Sequence, residues 1–260
     1  MTDRRQRQKE QRAAKREAAR KQESRRELGR RLVTALVFGV VVVAIFGFSG
    51  LFGGDTADLP GSYEGFREQP TACGAEQPPA EQVMSFEAPG PPTGLSEPAT
   101  ATIVTSCGEI VLDLNVDGAP ETVESFVFLA QEGFYDGQVF YRVAENFVIE
   151  TGDPVANGTG GPGYVVADEF PDEGFVYEEG VVAMANRGAR STGSRFWIVA
   201  GDDGRFLTNQ FNVLGTVASG QEAIDRILEV ETAAAPGSVE QSLPLETVYI
   251  ESILIETADS

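Results

Sequence analysis

Residues 140–153 read FYRVAENFVIETGD and set one arginine, Arg142, and one glutamate, Glu150, beside two apolar runs, 140–144 and 147–149. A guanidinium holds five N–H donors in a fixed fork and stays charged at any working pH, so it suits charge-assisted hydrogen-bond donation. Taken alone, Arg142 reads first as the cationic half of an ordinary surface ion pair, expected anywhere in a domain with so many acids. Cations are scarce here, however: after residue 31 there are 7 arginines against 35 Asp and Glu, and no lysine follows Lys21. Other chemistries are excluded by composition. The chain has no histidine and 2 cysteines, so it holds no Ser-His-Asp triad, no histidine-ligated zinc and no thiolate metal cage. The glycines of 158–163 lack the lysine and Ser/Thr that a phosphate-cradling loop needs. The acids of DEFPDEG, residues 168–174, do not follow calcium-loop spacing and read as a solvated face.

The elements around Arg142 are short. Residues 101–114, ATIVTSCGEIVLDL, give two strand-like runs about a turn at Ser106, Cys107 and Gly108. Pro120 in a first turn, acids at Glu121 and Glu124, an apolar face of Val123, Phe126, Val127 and Ala130, and a stop at Gly133 predict a helix. Strands are expected at 139–143, 147–151, 180–185, 196–200 and 213–217, and in the final run TVYIESILIE. A second helix follows Ser219, which has capping-box spacing to Glu222, with Ile224, Ile227 and Leu228 as its stripe. Many short strands and two helices predict a mainly β domain over 101–258, an antiparallel sheet closed into a barrel with helices covering its ends.

The N-terminal hundred residues divide by charge. Residues 1–31 carry 13 Lys and Arg against 5 Asp and Glu, and residues 32–54 carry no charge. The run 32–52 is long enough for a single transmembrane helix across about 30 Å of hydrocarbon, longer than the apolar part of a secretory signal. The basic flank places the N-terminus in the cytoplasm and the remainder outside the cytoplasmic membrane. It also lies against anionic headgroups, which leaves no need for a nucleic-acid partner. Residues 53–100 hold eight prolines and read as a tether. Cys73 and Cys107 fall on the far side of the membrane, where disulfides persist. They are expected either to pair, closing a loop worth about 3 to 4 kcal/mol in the chain-entropy treatment, or to stay as two buried thiols.

Several motifs occur in one order: F-Y-R-V at 140–143, Asn146-Phe147, G-T-G-G at 158–161, M-A-N at 184–186, G-S-x-F-W at 193–197 and FLTNQFNVLG at 206–215. In this the chain resembles the cyclophilin family of peptidyl-prolyl isomerases, from about Ala101 to Thr257. The resemblance implies a closed eight-stranded antiparallel β-barrel capped by two α-helices, with no cofactor, no metal and no covalent intermediate. It implies that the substrates are proline-containing unfolded or extended polypeptides. By position, Arg142 matches the catalytic arginine, acting with Phe147 and Glu150. Phe147, Val148, Ala185, Trp197, Leu207 and Phe211 match the proline pocket, although aromatics in this pattern otherwise read as plain core. Asn186 matches the asparagine whose backbone holds the substrate chain.

Two positions depart from the family, which has glutamine where this chain has Glu150 and Arg195. The expectation is that Arg195 pairs with Glu150 and leaves Arg142 free. The alternative is a non-catalytic proline-peptide-binding or scaffold module, in which these two substitutions spoil the chemistry.

Overall fold

The computed structural model describes residues 59–257 apart from 91, 93, 96 and 97. The basic tail and the expected membrane segment lie outside the described residues. Among those described, no helix is long and apolar enough to cross a membrane.

The elements are, in chain order, α1 (Tyr63–Glu68), β1 (Ala99–Thr105), β2 (Gly108–Leu114), α2 (Pro120–Gln131), β3 (Arg142–Val143), β4 (Val148–Thr151) and β5 (Val181–Met184). There follow β6 (Phe196–Val199), β7 (Val213–Ser219), α3 (Gln221–Leu228), β8 (Thr232–Ala234), β9 (Gln241–Pro244) and β10 (Ile250–Thr257). Eight strands form one antiparallel sheet in the order β10-β1-β2-β7-β5-β6-β4-β3. Its first hairpin follows from alternation: Ala101, Ile103, Ile110 and Leu112 are buried while their neighbours are not.

The sheet is curled rather than closed by a full ladder. Its end strands, β3 and β10, share no strand pairing, and the segments just before them meet at one bridge, Val139 with Tyr249. Around that bridge Gly137 N–H donates to the Ile250 carbonyl at 2.7 Å and Phe140 N–H to that of Val248 at 2.9 Å. The expected closed barrel is thus drawn together at its ends by loop backbone.

The central strands are buried on both faces, which explains their continuous apolar runs VVAM and FWIV. Val182, Met184, Phe196, Ile198 and Leu214 point into the main core, with α2 and α3 packed on it through Val123, Phe126, Ile224 and Ile227. The alternate residues Val181, Ala183, Trp197, Val199 and Val213 build a second, separate cluster on the other face. That second face carries the site.

Residues 59–90, within the stretch expected to be a tether, fold onto the domain. Tyr63 and Phe66 of α1 are buried, and the Tyr63 hydroxyl donates to the Gly137 carbonyl at 2.8 Å. Phe86 packs edge-on to Phe128 at 5.0 Å between centroids. Cys73 and Cys107 form a disulfide that fastens this stretch to the β1–β2 turn. The expected capping box is also displaced. Strand β7 runs through Ser219, which pairs with Val111, so Gly220 takes the cap position of α3 and Ser219 makes no cap bond. Gly220 sits at φ 103°, and a Cβ there would lie 2.3 Å from the Glu109 carbonyl oxygen; only glycine fits.

Candidate active site

Register lines the charged residues up. Arg142 on β3 pairs with Glu150 on β4, Glu150 with Trp197 on β6, and Trp197 with Ala183 on β5. Opposed residues in an antiparallel sheet share a face, so one row across four strands carries the guanidinium, the carboxylate and the indole. A tight turn adds the phenyl ring. Asn146, in the left-handed region at φ 61°, a conformation asparagine adopts more readily than most residues, reverses the chain between β3 and β4. Phe147 then lies under Arg142, whose guanidinium carbon stands 5.2 Å from the ring centroid, within cation–π range.

The apolar half of the site is the second cluster. Val148, Ala185 and Trp197 are buried, and half-buried Phe147, Leu207 and Phe211 pack against them. All six residues expected in the pocket therefore belong to one cluster, separate from the main core. Trp197 and Phe211 meet edge-on at 5.5 Å, and Tyr177 packs on both. The Tyr177 hydroxyl donates to the Phe211 carbonyl at 2.8 Å and accepts from its N–H at 3.2 Å, which fixes the Phe211 loop. Asn186 stands at the cluster's edge, its side-chain amide donating to the Gln210 carbonyl at 2.6 Å.

The polar half is a chain of alternating charges. Glu150 is 7% exposed and bridges both arginines: Arg195 Nη1 lies 3.3 Å from Oε1, and Arg142 Nη1 lies 3.3 Å from Oε2. Tyr141 donates its hydroxyl to the same carboxylate. Burial, and then the charge of Glu150, push the Tyr141 pKa far above its ordinary value, so the phenol remains a donor. Arg195 is brought in by a close approach at Gly152. The Ser194 carbonyl oxygen would lie 2.5 Å from a Cβ there, and Ser194 Oγ donates to the Gly152 carbonyl at 2.7 Å.

Arg142 is not left free. Its Nε and Nη2 also meet Glu240, at 3.0 and 2.7 Å, in a two-point pair. Burial pulls the Arg142 pKa down, but its bonds to Glu240 and Glu150 outweigh this and raise it. The Glu240 pKa is correspondingly lowered by Arg142, so the pair persists through neutral pH and is lost only as pH falls through that lowered value. Neither Glu240 nor Tyr141 nor Tyr177 was anticipated as part of the site. Tyr141 is the second residue of the F-Y-R-V motif and Tyr177 lies outside the motifs, and neither was given a role there. Glu240 carries no sequence signal, since it stands 98 residues from its partner in a polar stretch.

A curled eight-stranded sheet with an arginine poised over a phenylalanine beside an apolar, half-open pocket defines a site for a small ring held next to a hydrogen-bond donor. Residues 100–254 match the family described as cyclophilin type peptidyl-prolyl cis-trans isomerase/CLD, and the chain belongs to that family. It is similar to peptidyl-prolyl cis-trans isomerase B of Streptomyces anulatus, 38% identical over 181 residues covering 63% of this chain and 99% of that protein. The probable peptidyl-prolyl cis-trans isomerase A of Mycobacterium leprae is 38% identical over 178 residues, 62% of this chain and 94% of the relative. A solved cyclophilin-type isomerase from Cryptosporidium parvum shares the fold at TM-score 0.54 and 23% identity, covering 61% of this chain and 97% of its own. The protein is a peptidyl-prolyl cis-trans isomerase.

The bridging Glu150 makes its two arginines interdependent. Glu150→Gln and Arg195→Gln are expected to be non-additive in isomerase rate, by at least about 0.5 kcal/mol in a double-mutant cycle. Additive effects would show that the two charges do not compensate each other.

Proposed function

We propose that the protein is a membrane-anchored isomerase that speeds folding of exported, proline-containing polypeptides at the outer face of a cytoplasmic membrane. The placement of the Arg142 guanidinium over Phe147, at the mouth of the apolar cluster, carries the catalytic part of this reading. Rotation about an X-Pro bond must break amide resonance, a barrier of about 18–20 kcal/mol. In the twisted state the prolyl nitrogen becomes pyramidal and basic. A fixed donor gains more there than in the planar ground state, which is the condition for catalysis. Phe147, Leu207 and Phe211 hold the proline ring while the other half of the bond turns, and the backbone at Asn186 steadies the substrate chain. A solved relative crystallised with the dipeptide Ala-Pro fits such a substrate.

The uncharged run 32–54 behind a basic tail supports the anchor and the cytoplasmic N-terminus. The Cys73–Cys107 disulfide is consistent with an oxidising compartment. Slow prolyl isomerisation, on a scale of about 10 to 100 s, limits folding where unfolded chains emerge. The test uses the full-length chain in intact bacterial cells. Added protease is expected to remove residues beyond the apolar run and leave the basic tail protected in the membrane fraction; full protection until the cells are lysed would contradict the proposed orientation.

A further inference from the structure

The pairing of Glu240 with Arg142 exceeds what an ion pair in an acidic domain requires. Three of the guanidinium's five N–H donors are engaged, two groups by Glu240 and one by Glu150. Glu150 and the Phe147 ring already contact Arg142, and the two-point pair with Glu240 fixes the plane of its guanidinium as well. The same pair reduces the charge and the donors that Arg142 can present to a substrate.

Glu240 comes from the β8–β9 hairpin at the rim of the groove and not from the sheet. The hairpin lines a cavity of about 640 Å³ through Glu240 and Gln241, opposite Phe147, Phe206 and Leu207. The carboxylate is held by Ser242 Oγ at 2.8 Å and the Glu240 N–H by Ser238 Oγ at 3.0 Å. The turn itself faces solvent: Val239 is 99% exposed. The Arg142 and Glu240 side chains are 27% and 42% exposed, so their pair is reachable by water and salt.

We infer that Glu240 competes with the substrate for Arg142, pairing with the guanidinium in the free enzyme and giving way when a prolyl peptide occupies the cavity. This rests on the reading of Arg142 as the donor to the prolyl nitrogen. The hairpin then sets how much of the arginine's capacity each substrate can draw on, and peptides that reach the hairpin release more of it.

The test compares full-length wild type, Glu240→Gln, Arg142→Ala and the double variant on a short Xaa-Pro peptide, from low salt to about 1 M NaCl, where the screening length is about 3 Å. Glu240→Gln is expected to raise kcat/KM about fivefold at low salt, close to 1 kcal/mol of released competition. The gain should narrow at high salt, as screening frees Arg142 in the wild type, and vanish in the Arg142→Ala background. An unchanged or lower kcat/KM in Glu240→Gln, with Arg142→Ala still impaired, would overturn the competition and leave the arginine's role standing. Full activity of Arg142→Ala would overturn both. A gain of function is not produced by misfolding, so loss of structure cannot imitate the expected result.

Discussion

Arg142→Ala is expected to lower kcat/KM on a prolyl peptide by at least about tenfold, about 1.4 kcal/mol of transition-state stabilisation. The loss should fall mainly on kcat. The apolar cluster that seats the proline, Phe147 with Val148, Trp197, Leu207 and Phe211, keeps its internal contacts when the guanidinium over Phe147 is removed. The fold should also survive, because the buried Glu150 keeps Arg195 and the Tyr141 hydroxyl as partners. Arg142→Lys is not expected to restore the rate: an ammonium lacks the planar fork that lets one group meet Glu150 and a substrate nitrogen together. Steady-state kinetics with circular dichroism as the check on folding decides the matter. Activity within twofold of wild type in the alanine variant would show that the donor lies elsewhere.

The largest expected effect on stability belongs to the disulfide. Cys73→Ser is expected to cost about 3 to 4 kcal/mol on the chain-entropy treatment, given a sequence separation of 34 between the paired cysteines. The bond adds to the other ties of this stretch: the buried Tyr63, Phe66 and Ala72, the Thr71–Thr247 bridge, the Tyr63 hydroxyl on the Gly137 carbonyl, the Thr247 hydroxyl on the Phe66 carbonyl and the Phe86–Phe128 contact. For a domain of this size, at about 2 to 4 °C per kcal/mol, the expected fall in Tm is roughly 6 to 16 °C. Thermal unfolding of the variant beside oxidised and reduced wild type measures it. Cys107, 2% exposed, is tolerated as a lone buried thiol. A Tm unchanged on reduction would mean that the stretch is held by its packing alone.

Much of this architecture was legible in residue order. Strands β4 to β7 announce themselves as short apolar runs between glycine-rich loops, and α2 by Pro120, its apolar face and Gly133. The pocket was legible only through the order of its motifs, because periodicity alone assigns Phe147, Trp197 and Phe211 to a core. They do pack as a core, but a separate and half-open one. Helix α1 escaped because six residues with two buried aromatics give no measurable period. The capping box failed because Ser219 is claimed by the β2–β7 ladder, a pairing over 100 residues that no local rule weighs. Glu240 escaped for a related reason. Its hairpin is short and polar, and only the fold brings it to Arg142. Arg195 does pair with Glu150, as its departure from the family pattern suggests, yet Arg142 is not released, because Glu150 bridges both arginines and Glu240 adds a second carboxylate.

A groove that accelerates rotation of a prolyl bond differs measurably from one that merely holds a proline. The most direct measurement is NMR exchange spectroscopy on an Xaa-Pro peptide in excess over the purified full-length protein. Cross-peaks between the cis and trans signals are expected at catalytic protein concentration, on a timescale far shorter than the tens of seconds of the uncatalysed reaction, and should be lost with Arg142→Ala. Shifted peptide signals with no cis–trans exchange would contradict catalysis and identify the groove as a binding site alone.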